Sequence, residues 1–312
     1  MIKIGMVGMS DGNAHPYSWS AIINGYYDAA EIIRTGYPAV AAYLDANRDT
    51  LGLNAAKVTH IWTQDPAISK SIAATTQITH IAESLEAMIG NVDAVIIARD
   101  DAATHVAMAK PFLDAGIPVF IDKPLAASKE DLQWFADQDS KGKVFMSCSS
   151  MRYSNECRTA KTELNSLGEF ELVTAVGKKD WLKYGVHMLE AMFAMFDDPV
   201  PASVRYVGTE NKDVVLLQFE NGMVATIHLF MNISSTFQLT VFGQKGWRLV
   251  DIKNSYSMFR DNIIEFVRSV EQGKSSLEFR KTYNIISTLI GAEESRLSGG
   301  APISLKNYHA HK

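Results

Sequence analysis

The feature that most constrains this chain is an alternation in its first half. Short apolar runs rich in β-branched residues, "IKIGMVG", "KVTHIWT", "DAVIIA" and "IPVFI", are separated by stretches of helical spacing, "YSWSAIINGYY", "AISKSIAAT" and "THVAMAKPFLDAG", the last closed by Gly116. Strands that alternate with helices return in the same direction, so the pattern predicts a parallel, doubly wound sheet. Ser128, followed by Asp131, marks a further helix start, and "KVFMS" supplies another strand. From about Met151 the pattern changes to strands in series, "FELVTAVG", "VRYVG", "VVLLQFENGMVATIHLFM", "FQLTVFG" and "WRLVDI", with Asn221-Gly222 as a tight hairpin turn. Helices are expected around His187 to Phe196 and over "MFRDNIIEFVRSVEQG" and "TYNIISTLIGAEESRLSG". The expectation is an α/β chain of two domains with a cleft between them: a parallel sheet over residues 1–150, and over 151–312 an α+β domain with an open, mainly antiparallel sheet.

Composition narrows the partners. A chain of 312 residues, 47% hydrophobic and 21% charged, buries a substantial core, and its net charge of -5 gives no electrostatic reason to bind nucleic acid or an anionic membrane. A small molecule is the expected ligand. Met1 leads straight into "IKIGMVG" without the basic segment and cleavage site of a signal peptide. No apolar stretch approaches the roughly 20 residues that span a bilayer. Cys148 and Cys157 are too few for a disulfide framework and lack metal-ligand spacing, so a cytoplasmic protein without a metal is expected. Residues 28–57 fill a connection that is normally two to six residues long. An added surface helix is the favoured reading, and a flap over cofactor or substrate the alternative.

Three places carry chemistry. The first strand ends in "GMVGMSDGNAH", a strand-to-helix turn where glycine lets a backbone approach a pyrophosphate. Gly8 and Gly12 lie there, but counted from Gly8 the G-x-G-x-x-G fingerprint finds Ser10 and Asn13 where it wants glycine. At the end of the second strand, where an acidic residue binds ribose in NAD-preferring folds, stand Thr63 and Gln64, followed by Asp65. Both NAD and NADP stay open. In "IPVFIDKPLA", Asp122, Lys123 and Pro124 follow an apolar strand at the sheet edge where such folds bind ligands. A strand-end ion pair between Asp122 and Lys123 is the bland alternative.

Together with "DAVIIARDDAATHVAMAKPFLDAGIPVFIDKPLA", "KYGVHMLE", "MFRDNIIEFVRSVEQGK" and "AEESRLSGG", these residues resemble the Gfo/Idh/MocA oxidoreductases, the glucose-fructose oxidoreductase and inositol dehydrogenase family. The family's Glu-Lys-Pro tripeptide is matched by Asp122-Lys123-Pro124, with aspartate for glutamate. The resemblance implies an N-terminal Rossmann domain, a C-terminal substrate-binding and oligomerisation domain, NAD or NADP, and a sugar, cyclitol or nucleotide-sugar substrate. It implies that Lys123 binds a substrate oxygen and assists proton transfer, that His187 abstracts the hydroxyl proton, and that Lys183 stands where the family places an aspartate four residues earlier. Neither Asp180 nor Glu190 is a secure substitute for it. Arg99, with Asp100 and Asp101, follows the strand "DAVIIA" and reads equally as a contact to phosphate, ribose or substrate and as a solvated loop arginine. Arg152, Trp181 and Tyr184 are candidates for the sugar site, with core packing competing for the two aromatics. His105 is expected to cap or pack its helix, and His228 to be an interface or core residue.

The resulting expectation is an NAD(P)-dependent oxidoreductase moving a hydride to or from a hydroxyl-bearing carbon. Two alternatives remain: a ligand-binding or regulatory module with weakened cofactor use, motivated by Ser10, Thr63 and Lys183, and an NAD-assisted lyase or glycosidase. Because the second sheet carries apolar residues on both faces, a homodimer or homotetramer built through it is expected.

Overall fold

The structure, a computed structural model, describes residues 1–306. Its first sheet begins with β1 (Ile2–Gly8), which runs through a turn into α1 (His15–Asn24). Two short helices follow, α2 (Ala29–Arg34) and α3 (Pro38–Asp45), before β2 (Ala56–Thr63) and α4 (Pro66–Thr76). Then come β3 (His80–Ile81), β4 (Ala94–Ile97), α5 (His105–Asp114), β5 (Val119–Ile121), α6 (Lys129–Ser140) and β6 (Phe145–Met146). The six strands lie in the order β3-β2-β1-β4-β5-β6, and every pair is parallel. All four residues of β4 and all three of β5 are buried, as strands covered by helices on both faces must be. The order reverses between β1 and β4, a switch point of the kind at which open α/β sheets bind ligands outside the carboxyl ends of their strands. The alternation read from the sequence is therefore present, with β3 as an additional edge strand of only two exposed residues.

Residues 28–57 form a helical pair on the outside of α1 and α4. Ile32 and Leu44 are fully buried beneath it. Asp28 caps α2 by accepting from the Glu31 amide, and its own amide donates to the Thr75 carbonyl at the end of α4. The Gly52 and Leu53 amides donate to the Ile22 and Ile23 carbonyls, holding the exit against α1. The segment is thus two packed helices, not the single added helix of the first expectation.

The second sheet is preceded by α7 (Asn155–Glu163) and contains β7 (Phe170–Lys178), which leads into α8 (Trp181–Met195). There follow β8 (Pro201–Tyr206), β9 (Lys212–Phe219), β10 (Val224–Phe230), β11 (Phe237–Gly243) and β12 (Gly246–Asp251). The chain closes with α9 (Ser255–Gln272), α10 (Phe279–Leu297) and β13 (Ile303–Ser304). Seven strands lie in the order β12-β11-β7-β10-β9-β8-β13; only β7 and β10 pair in parallel. The β9–β10 hairpin turns over Phe219 to Gly222, with Gly222 at φ +89°. Only Gly222 of the Asn221-Gly222 dipeptide takes a positive φ, so the loop is longer than a two-residue turn. One face carries Val173, Ala175, Val215, Leu217, Ala225 and Ile227, all fully buried, and α8 packs against β7 and β10.

By compactness the chain divides into two units. One comprises residues 1–126, 133–148 and 259–279; the other comprises 127–132, 149–258 and 280 onward. One crossing falls within two residues of the cut expected at Ser150. The return of 259–279 to the first unit breaks the simple 1–150 and 151–312 division. Among the described residues no helix is long and apolar enough to cross a membrane.

Replacing Leu44 by Ala leaves a cavity under the α2–α3 pair and is expected to destabilise the protein by about 2–5 kcal/mol, whereas Leu182→Ala, at an exposed position on α8, stays within about 0.5 kcal/mol. Urea denaturation of the two variants checks this, and a null result at Leu44 shows that the helical pair is not part of the cooperative fold.

Candidate active site

In the first unit the polar groups gather at the carboxyl edge of the sheet. β5 delivers Asp122 directly after its last buried residue, and the carboxylate is 1% exposed. A carboxylate so buried needs donors. It has three: Asn13 Nδ2 donates to Oδ2 at 3.0 Å, His15 Nδ1 lies 2.6 Å from the same oxygen, and the Lys123 amide donates to Oδ1 at 2.8 Å. Burial works to raise the Asp122 pKa, but the charges of His15 and Lys123 and the hydrogen bonds from His15 and Asn13 outweigh it and hold the carboxyl well below its usual range. The His15 ring stacks on Trp19 at 4.2 Å and meets the edge of Phe259 at 5.3 Å, which fixes the orientation of its nitrogens.

Lys123 is 7% exposed, and its Nζ lies 3.7 Å from Asp100 Oδ2, not on the neighbouring Asp122 carboxylate. The strand-end ion pair weighed as the bland reading is therefore not formed within the dipeptide. Asp100 is held in turn by Ser10, whose hydroxyl donates to Asp100 Oδ1 and accepts the Asp100 amide at 3.1 Å. Ser10 thus ties the turn after β1 to the loop after β4. The His105 ring lies against two carbonyls, Leu125 O at 3.0 Å from Nδ1 and Arg99 O at 2.9 Å from Nε2. It joins the Arg99 loop to the Lys123 loop, both outside the helix it was expected to cap or pack.

The dinucleotide turn fits its expected ligand in part. A Cβ at Gly8 would come within 2.7 Å of Pro16 Cγ, so glycine lets the start of α1 close on the strand. At Gly12 φ is +72° and no atom lies within 4 Å of where a Cβ would stand, which leaves room beside the helix start for a phosphate. Gln64 reaches back to the same turn: its amide donates to Met9 O at 2.6 Å, and its carbonyl accepts the Met9 amide at 3.1 Å and Arg99 NH1 at 2.8 Å. Arg99 also grips Asp101 with Nε and NH2 at 2.8 and 2.6 Å. Burial opposes ionisation of Asp101, yet this bidentate contact holds its pKa below normal. Thr63 does not suit the ribose role expected of it. It is 4% exposed, and its hydroxyl already meets Asp65 O at 2.6 Å and Ser69 Oγ at 2.8 Å, where the chain enters α4.

In the second unit α8 carries the remaining candidates. Asp180 caps it by accepting the Lys183 amide at 3.0 Å, and Lys183 is exposed one turn before His187. His187 is half-buried, meets the Tyr184 ring at 5.1 Å, and places Nδ1 2.6 Å from Ser149 Oγ. Tyr184 stacks on Phe237 at 5.9 Å, with Lys179 Nζ 4.5 Å over its ring. Two expectations are corrected. Trp181 is 2% exposed with its indole N–H donating to Leu289 O at 3.0 Å, so it belongs to the core; a Cβ at Gly185 would come within 2.8 Å of its ring, which is why glycine stands in the helix there. Arg152 is buried, with Nε on Glu190 at 2.6 Å and NH1 and NH2 on Asp198 at 3.2 and 2.7 Å. Its guanidinium is engaged by two carboxylates and is not offered to a sugar. Burial raises the Glu190 pKa against the pull of Arg152.

Sequence reasoning assigned no role to His15 or Ser149 and placed Asp100 only in a loop. None carries a motif signal of its own; each is identified by its partner. Among the described residues no group of three or more His, Cys, Asp or Glu is placed to hold a metal ion.

Comparison with known proteins gives the chemistry a context. Residues 2–147 match the family model GFO_IDH_MocA, described as an oxidoreductase family with an NAD-binding Rossmann fold. No curated protein sequence matches the chain. Among solved structures, a probable dehydrogenase from Thermotoga maritima aligns over 98% of this chain and 100% of its own at 14% identity and a TM-score of 0.78. A myo-inositol dehydrogenase from Lactobacillus casei in complex with NAD(H) and myo-inositol aligns over 97% and 96% at 15% identity, TM-score 0.76. A scyllo-inositol dehydrogenase from the same organism, with bound NAD(H) and scyllo-inositol, aligns over 98% and 99% at 14% identity, TM-score 0.76. At such identity the likeness is one of fold.

The Asp122 geometry makes a pH prediction. Because its folded pKa lies below the ordinary value of about 3.9, its stabilisation is fully present above about pH 4 and is lost as the pH falls towards the folded value. Asp122→Asn removes that dependence. Denaturant titrations from pH 7 down to pH 3 are expected to show wild type losing more stability on acidification than the variant; parallel curves refute the assignment.

Proposed function

We propose that this chain, whose residues 2–147 match the model of the Gfo/Idh/MocA oxidoreductases with their NAD-binding Rossmann fold, oxidises or reduces a hydroxyl-bearing carbon of a cyclitol or sugar. The observation that carries the reading is Lys123, an ammonium almost wholly buried at the carboxyl end of β5, supported by Asp100 and aimed by the Asp122 cluster. A bound nicotinamide dinucleotide supplies the hydride acceptor or donor. Gly8, Gly12, Ser10 and Asn13 form the turn that would hold its pyrophosphate, with Gln64 and Arg99 beside it. The grip of Asp101 on Arg99 favours NAD over NADP, since a guanidinium already paired with a carboxylate is poorly placed for a 2'-phosphate.

Lys123 donates hydrogen bonds to the substrate oxygen, and His187 takes the hydroxyl proton on oxidation and returns it on reduction. An unperturbed imidazole titrates near pH 6.5, which suits that exchange. Lys183 and Tyr184, on the same helix, line the substrate side. A polyhydroxylated ring is the favoured substrate class, in keeping with the myo-inositol and scyllo-inositol held by two of the aligned dehydrogenases. The competing reading, ligand binding without turnover, draws on Thr63, whose hydroxyl is spent inside the protein. Any polyol-dependent reduction of NAD or NADP excludes it.

The assembly we propose is a homodimer, or a tetramer built from it, closed by the outer face of the second sheet. At one end of that face the strand register brings Leu172, Val224, Phe242 and Trp247 side by side, with Trp247 65% exposed, while Val176 and Leu216 lie further along it beside His228 and Thr226. So apolar a sheet face fits a second copy of itself. A cytoplasmic setting accords with Cys148 and Cys157, which are buried and not joined in a disulfide.

Titration of nicotinamide fluorescence with NADH and NADPH is expected to show binding, tighter for NADH; binding of neither refutes the reading. With NAD and a panel of myo-inositol, scyllo-inositol and glucose, Lys123→Met is expected to keep the fold and NADH affinity but to lower kcat by about a hundred- to ten-thousandfold. An unchanged rate with a lowered Tm overturns the catalytic assignment. Light scattering that finds a monomer at micromolar concentration counts against the assembly.

A further inference from the structure

We infer that Ser149 is the positioning residue of His187, filling with a neutral hydroxyl the orienting role that Lys183 cannot fill, and that it holds the imidazole with its proton on Nδ1. The inference rests on the proposed function for its purpose, though not for its geometry. An ammonium is a donor only and accepts nothing from an imidazole N–H, so Lys183 cannot select a tautomer as a carboxylate would. Ser149 Oγ, by contrast, lies 2.6 Å from His187 Nδ1.

The hydroxyl is itself held from several directions. It accepts the Met151 amide at 3.2 Å, while the Ser149 amide donates to Glu190 Oε1 at 3.3 Å. Glu190 is gripped by Arg152, Arg152 grips Asp198, and Lys281 Nζ lies 3.2 Å from the same Asp198. Ser149 and Glu190 are each 1% exposed, so this frame lies in the interior, where hydrogen bonds hold atoms most firmly. A serine oxygen has two lone pairs. With the Met151 amide on one, the other meets Nδ1–H and leaves Nε2 as the unprotonated nitrogen, the form that can take a proton from a substrate hydroxyl. The reverse bond, Ser149 O–H to Nδ1, would put the proton on Nε2 and leave a ring unable to act as base. The proposed reaction needs the first arrangement. A neutral partner also sets the ring without adding negative charge beside the substrate.

Long-range proton–nitrogen NMR of the histidine rings tests this on the intact protein without cofactor or substrate, at a pH where the rings are neutral, with His187→Asn identifying the His187 signals. Wild type is expected to show His187 protonated on Nδ1, Ser149→Ala to shift it towards the Nε2–H form, and Ser149→Thr, which keeps the hydroxyl, to restore Nδ1–H. An Nε2–H ring in wild type, or one that Ser149→Ala leaves unchanged, overturns the inference. Should Ser149→Ala fail to fold, the wild-type and Ser149→Thr spectra decide it. In the polyol assay Ser149→Ala is expected to lower kcat by about ten- to a hundredfold, the size of loss known for removing the partner that orients a metal-bound histidine, with NADH affinity unchanged. A normal kcat for Ser149→Ala beside a dead His187→Asn removes the positioning role alone. A normal rate for both removes His187 from the proposed mechanism.

Discussion

The first unit depends on a charge with nowhere to go. Asp122 sits at the end of a fully buried strand, and an ionised carboxylate in such a place costs several kcal/mol unless donors replace water. Two of its three donors, Asn13 and His15, come from the turn after β1 and the first residue of α1, although β4 lies between β1 and β5 in the sheet. To satisfy Asp122 that turn must reach across the switch point, which fixes the start of α1 and orients His15 against Trp19. The same carboxylate accepts the Lys123 amide, so the peptide bearing the ammonium is set before its side chain chooses a partner. An aspartate carboxylate stands close to its own backbone, and His15 and Asn13 supply the reach to it.

Departures from the general dinucleotide-binding pattern at this edge are each accompanied by a polar partner. Ser10 displaces a glycine, and its hydroxyl is met by Asp100 from another loop. Thr63 displaces an acid and turns its hydroxyl to Ser69. Because an unsatisfied buried polar group costs about 1–3 kcal/mol, such changes are tolerable only in company. Ser10 therefore reads as one half of an alternative construction of the site; Thr63 reads as a position withdrawn from it.

How much was legible follows from what each residue's signal depends on. The alternation of strands and helices survives in the sequence because β-branched runs and helical spacing are local, and topology rules convert them into a parallel sheet. β3 left no trace, since two exposed residues carry no periodicity. The α2–α3 pair was read as one helix because Gly36 and Pro38, which part them, sit inside a continuous apolar pattern. Arg152 and Trp181 were placed at the substrate because guanidinium and indole suit sugars and interiors alike, and the deciding partners lie 46 residues away at Asp198 and 108 away at Leu289. His15 was passed over for the same reason, its partner Asp122 standing 107 residues on. Lys123 stands out in the sequence because strand, tripeptide and sheet edge coincide within ten residues.

The buried network of the second unit is better explained by orientation than by stability. An ion pair withdrawn from water gains little over a well-packed apolar plug of the same volume, so Glu190 of α8, Arg152 and Asp198 have weak energetic reason to be buried together. What apolar residues cannot do is hold a hydrogen-bonding atom at a defined point. Glu190 takes the Ser149 amide, Arg152 keeps Glu190 in place, and Asp198 with Lys281 completes the charge balance, leaving Ser149 Oγ facing the His187 ring. The first unit solves its problem in the same way, with Asp122 fixing the peptide of Lys123 through donors from a distant turn. In both units a buried carboxylate does its work at one remove: Asp122 sets the peptide that bears the Lys123 ammonium, and Glu190 sets Ser149, whose hydroxyl faces the titratable ring of His187.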